Sequence, residues 1–158
     1  KEPDLSFVNR ADSMDSDADV VVVFGGTNDF GHGDAKLGTF ESRDPYTFYG
    51  AMHVLCEKLI HRFPNADILF MTPLHRCSEN EALKENGLPE ETNLAGYVSI
   101  IREVAEFYGL PVLDLFSTSG LQPKVDIIKE TYMPDGLHPS DAGALRIALR
   151  LMGFLQTL

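Results

Sequence analysis

Two cysteines, Cys56 and Cys77, are too few for a disulfide framework. Stability must then come from a buried core, and 158 residues suffice for one domain with such a core. Cations are also scarce: 13 Lys plus Arg stand against 24 Asp plus Glu, a formal charge of −11. That field repels a phosphate backbone, so nucleic acid is not an expected partner. An anionic membrane surface is disfavoured for the same reason. No apolar run approaches the ~20 residues of a membrane span, and no basic-then-apolar leader opens the chain. Lys1 is not an initiator methionine, which leaves room for a leader removed upstream. Reducing cytoplasm is the expected compartment. There is no G-x-G-x-x-G and no P-loop, so no nucleotide cofactor is expected.

What is present has the balance of a globular protein, 44% apolar and 23% charged. Residues 1–18 are polar and without period, although Leu5, Phe7 and Val8 could pack locally. Val20 to Phe24 is an unbroken apolar run closed by Gly25-Gly26, the pattern of a strand buried on both faces. Residues 31–43 read as a loop. Asp44-Pro45 then offers an N-cap and a first helical position, and Phe48, Met52, Leu55, Leu59 and Phe63 follow at helical spacing. This predicts a helix over 45–63, with Cys56 buried in it.

Ile68 to Met71 predicts a second strand. A polar stretch from His75 to Glu91 has no period and holds an exposed Cys77. Leu94 to Tyr108 predicts a helix closed by Gly109, and Pro111 to Phe116 a third strand. A short helix around Val125–Ile128 and a last one capped by Ser140 complete the chain. Strands alternating with helices imply parallel pairing, right-handed crossovers and an α/β layered fold.

In such sheets, sites form beyond the carboxyl ends of the strands. The first strand runs into Gly25-Gly26-Thr27-Asn28-Asp29. The glycines permit a sharp turn and close approach, and an Asn amide donates a hydrogen bond without a proton to lose. The bland alternative is a plain turn, which Asn and Asp also favour. Near the end stands Asp135-Gly136-Leu137-His138-Pro139-Ser140. Asp and His three apart can meet so that the carboxylate takes the ring Nδ1–H and leaves Nε2 as a base. The alternative there is a capping turn with an exposed His.

Together, GTND after a buried strand and DGLHPS before the last helix resemble the SGNH (GDSL-like) serine esterases, over about residues 19–158. The resemblance implies a flavodoxin-like three-layer α/β/α sandwich and ester hydrolysis by a Ser–His–Asp triad without a cofactor. It implies Asn28 as oxyanion donor, His138 as general base and acid, and Asp135 as the group that orients the imidazole. The family's serine block and its second-block glycine have no counterpart here. Ala11-Asp12-Ser13 is the nearest to a serine block, but it directly precedes the third-block strand. The chain is therefore expected to be one SGNH-like domain incomplete at its N-terminus, lacking the first strand or strands, with an open sheet edge. The nucleophile would come from a complementing N-terminal segment. The expected substrate is a small-acyl or carbohydrate ester rather than a long lipid. The competing reading is a noncatalytic binding or structural fragment that retains the fold.

His75 and Arg76, after the second strand, and His32, after GTND, are candidates for the substrate rim. Ser117 and Ser119 read as loop hydroxyls. His53 and His61, eight apart on the first long helix, read as surface or boundary residues and match no zinc spacing. Asp15, Asp17 and Asp19 alternate like the opening of a calcium loop. Val20 stands where that loop needs glycine and Gly26 where it needs glutamate, so a solvated acidic linker is expected and no metal.

Overall fold

Val20 to Phe24 (β1) pairs in parallel with Asp67 to Met71 (β2), from Val20 opposite Asp67 to Phe24 opposite Met71. β2 pairs in parallel with Val112–Leu113 (β3), giving the sheet order β1-β2-β3. These elements come from a computed structural model, which describes residues 6–33, 35–80 and 92–158. The remaining elements are α1 (Phe7–Arg10), α2 (Thr27–His32), α3 (Phe48–Arg62), α4 (Leu94–Phe107), α5 (Leu115–Thr118), α6 (Asp126–Tyr132) and α7 (Asp141–Leu155).

Alternation along β2 builds three layers. Ile68 and Phe70 point to one face, where they join Val21 and the apolar stripes of α3 and α4. Leu69 and Met71 point to the other, where Leu113, Leu115, Leu121 and Met133 meet Ile147, Leu151 and Phe154. Tyr97, Leu59, Leu69 and Phe70 are fully buried. Each contributes about 1.5–3 kcal/mol by leaving water, and Leu69→Ala would cost about 2–5 kcal/mol. The α/β sandwich with a parallel sheet is thus the observed fold.

Several local expectations are corrected. α3 starts at Phe48, with Thr47 as its cap, because Asp44 instead turns the chain by accepting the Tyr46 N–H (3.0 Å). GTND runs directly into a helix, α2, whose last residues Gly31 and His32 fall within the stretch 31–43 expected to be a loop. β3 ends after two residues because the Asp114 side chain accepts Ser117 N–H and caps α5. Residues 7–13 form α1 and a 3-10 turn that lie against α3, with Val8 and Ala11 buried. His53 is not a surface residue: it is fully buried beside Phe40, Phe107 and Tyr108.

The largest correction concerns β1, which is covered on one face only. Val20, Val22 and Phe24 are 44%, 40% and 43% exposed. Among the described residues, β1 is also the edge of the sheet. On α7, Leu145, Leu149 and Met152 likewise form an exposed apolar stripe. Among the described residues, no helix is long and apolar enough to cross a membrane.

Candidate active site

The carboxyl end of β1 turns through Gly26, whose φ of +103° a side chain would resist, and α2 begins at once. The Phe30 N–H closes the first turn on Gly26 O (3.2 Å). This puts Asn28 in the first turn of α2, exposed at the sheet edge, while Phe30 anchors α2 in the core. His32 is exposed at the last residue of α2.

The loop before α7 is built around one carboxylate. Asp135 Oδ1 accepts the N–H groups of Leu137 (2.8 Å) and His138 (2.7 Å), while Oδ2 meets His138 Nδ1 at 2.6 Å. The hydrogen bond from the imidazole, backed by the two backbone bonds, holds the Asp135 carboxyl well below the usual carboxylate range. A charged acceptor there places the ring proton on Nδ1 and leaves Nε2 as the basic nitrogen. Ser140 closes the loop by capping α7 at Gly143 N. Thus Asp135 and His138, expected to meet, are in direct contact.

The segment after β2 ties the two motifs together. Cys77 N–H donates to Gly136 O (2.9 Å), in the middle of the Asp135–His138 loop. Its neighbour Arg76 sends Nη1 to the Thr27 carbonyl (3.2 Å), next to Asn28. Asn28 and the Asp135–His138 pair therefore flank one dipeptide along one sheet edge.

His75 lies on the same segment, half-buried, its ring on that of Phe116 with centroids 3.9 Å apart. Its Nδ1 meets Glu79 Oε2 at 2.7 Å, and Lys124 Nζ donates to Glu79 Oε1 at 2.9 Å. Burial pushes the Glu79 carboxyl up, but the bonds from Lys124 and His75 outweigh it, so Glu79 stays charged below its ordinary range. Glu79 and Lys124 were not foreseen; the only sequence signal was the four-residue spacing of His75 and Glu79. The rest of the polar stretch, 81–91, lies outside the described residues.

Ser13, Ser117 and Ser119 have other surroundings. Ser13 donates to Arg10 O. Its neighbours Asp12 and Met14 are held by Lys58 and Arg62, at the end of α3 that feeds the start of β2. That is the opposite sheet edge from Asn28. Ser119 is buried, and Ser117 accepts from Arg102 beside Asp114. Asp15, Asp17 and Asp19 are exposed.

Fold and site together define a class: a parallel α/β sandwich with a carboxylate-oriented imidazole and an asparagine at the carboxyl ends of its strands. The chain belongs to the GDSL-like lipase/acylhydrolase family, a family of carboxylic ester hydrolases, whose model matches residues 4–146. It is similar to a crystal structure of a protein from Lactobacillus plantarum, at 32% identity and a TM-score of 0.85, over 95% of this chain and 72% of that one. A second crystal structure matches at 38% identity and a TM-score of 0.84, over 96% of this chain and 70% of that one. The lipase/acylhydrolase from Enterococcus faecalis shares the fold, at 23% identity and a TM-score of 0.56, over 88% of this chain and 62% of that one. No curated protein matches.

Proposed function

We propose that this chain carries the acid–base half of a serine carboxylic ester hydrolase. The observation that carries the reading is the 2.6 Å contact of His138 Nδ1 with Asp135, on the edge that also presents Asn28. In this reading a serine Oγ attacks the ester carbonyl while His138 Nε2 takes its proton. The Asn28 amide donates to the oxyanion. His138 then protonates the departing alcohol oxygen, and a water repeats the sequence to free the acid.

The nucleophile comes from a segment outside these 158 residues, which pairs as a further parallel strand on the edge of β1. Two observations support this. Among the described residues, β1 has a partner strand on one side only, and Val22 and Phe24 stand uncovered beside Leu69 and Met71. More than a quarter of each of the two more similar solved structures extends beyond the match. The substrate is a small-acyl or carbohydrate ester.

The test uses the protein with its serine-bearing segment, a panel of p-nitrophenyl esters and acetylated sugars, and a fluorophosphonate probe. Asn28→Ala is expected to lower kcat about 100- to 1,000-fold with little change in KM. Probe labelling of the 158-residue chain by itself would refute the origin of the nucleophile. A complete protein that takes up no probe and cleaves no ester would leave the noncatalytic reading.

A further inference from the structure

Arg76 is already engaged within the chain. Its Nη1 donates to the Thr27 carbonyl (3.2 Å) and the Thr27 hydroxyl (3.4 Å), and its guanidinium lies over the Phe30 ring, 5.6 Å from the centroid. Its Nε is buried with no partner among the described residues. The position is also reserved from the other side. A Cβ on Gly31 would come within 2.7 Å of Nη1, so the absence of a side chain at 31 makes room for the guanidinium. The backbone of the same residue is fixed too, since Arg76 N–H donates to the buried Glu79 carboxylate (3.3 Å), and Cys77 N–H holds Gly136 O.

We propose that Arg76 is a positioning residue, a clasp that fixes the first turn of α2 and through it the direction of the Asn28 amide. The inference rests on the reading of Asn28 as oxyanion donor. Both bonds come from the one nitrogen Nη1, while the flat, weakly hydrated guanidinium lies over the Phe30 ring, a placement that suits an arginine better than a strongly hydrated ammonium. Thr27 precedes Asn28, so a carbonyl held at 27 sets the peptide plane from which Asn28 departs. His75, clamped by Glu79 and Phe116, keeps the segment that bears the clasp from sliding along the edge.

Two variants remove the clasp by different routes. Arg76→Met deletes the guanidinium. Gly31→Ala expels it with a methyl that collides only with the far end of a flexible side chain, and Gly31 has an ordinary helical backbone that alanine favours. In the 158-residue chain, both variants are expected to speed amide exchange at Phe30, whose N–H closes the turn on Gly26 O, about tenfold, with β1 amides unchanged and Arg76→Lys intermediate. In the complete enzyme, both lower kcat about 10- to 100-fold at nearly constant KM, the loss typical of slight misplacement.

In the Asn28→Ala background the same variants should cost almost nothing further, since the group they position is gone. Unchanged exchange in both variants overturns the clasp. Full multiplicative losses in the Asn28→Ala background overturn its action through Asn28. If the complete wild-type protein hydrolyses no ester, the esterase reading falls by itself and the exchange rates alone decide whether Arg76 holds the turn.

Discussion

Replacing Asp135 with asparagine separates the fold of the site from its chemistry. Of the three hydrogen bonds the carboxylate accepts, two come from the backbone, at 2.8 and 2.7 Å to Oδ1. An amide oxygen can accept both, so the loop should keep its shape. The third, from His138 Nδ1 at 2.6 Å, goes to Oδ2, which becomes an NH₂ group. Two donors cannot face each other, so the ring must move its proton to Nε2, and the base is lost. Where such an aspartate is buried, this change costs roughly 10,000-fold in kcat. Here the side chains of Asp135 and His138 are 54% and 75% exposed, so water competes for Nδ1 and the expected loss is roughly 100- to 1,000-fold. The assay is kcat of the complete enzyme together with ¹⁵N shifts of the His138 ring in the 158-residue chain, which report the tautomer directly. A variant that keeps the Nδ1–H tautomer, or loses less than about threefold, refutes the orienting role of Asp135. The pH dependence follows from the depressed carboxyl. The contribution of Asp135 to the loop is complete above its unfolded pKa of about 4 and is lost only as pH falls through its lower folded value.

Three further predictions concern the scaffold. Thr72 is fully buried, donates to Asp114 Oδ1 and accepts from Phe116 N–H, both at 2.9 Å. Thr72→Val, which leaves that N–H unpaired, should lower urea-unfolding stability by about 2–4 kcal/mol, and Thr72→Ser by less than about 1.5. Gly50 stands so close to Asp44 that a Cβ would lie 2.1 Å from its carbonyl oxygen. Gly50→Ala, which is favourable in most helices, should here destabilise by about 1–3 kcal/mol in the same assay. Burial, then the Arg43 charge, lower the pKa of His53, so its folded form resists protonation. Stability should be intact above the ordinary histidine pKa of about 6.5 and fall as pH drops below it; urea midpoints from pH 8 to 5 should fall less steeply in His53→Phe.

How much of this was legible in the sequence depended on how far each cause reaches along the chain. The Asp135–His138 pair spans three residues, so motif and geometry agree. α4 was legible from its apolar period, and α7 from its Ser140 cap and from Leu145, Leu149 and Met152, which give the helix but stand on its exposed face, while Ile147, Leu151 and Phe154 meet the core. β3 was overread because the apolar residues of Pro111 to Phe116 hide the capping role of Asp114, which turns the chain into α5 after two strand residues. His53 was misread because its surroundings come from Phe40, Phe107 and Tyr108, which no helical spacing on α3 can reveal. The clasp of Arg76 on Thr27 joins residues 49 apart and has no local signature.

β1 shows a different kind of disagreement. Five consecutive apolar residues are the pattern of a strand covered on both faces, whereas a strand with one wet face alternates. The fold buries Val21 and leaves Val22 and Phe24 about two-fifths exposed, although their partners across the sheet, Leu69 and Met71, lie under α7. The sequence at β1 is thus written for an environment that these residues alone do not supply. A serine-bearing segment that pairs with this edge and packs a further layer over it would supply it, at the end of the sheet that presents Asn28. The same step predicts a difference that an apolar dye can measure. The 158-residue chain should bind it through this strip, Val22→Lys should weaken that binding, and the complete protein should bind it little. Equal dye binding by the complete protein and by this chain would mean that the strip faces water in both, and the strand-pairing proposal would fail.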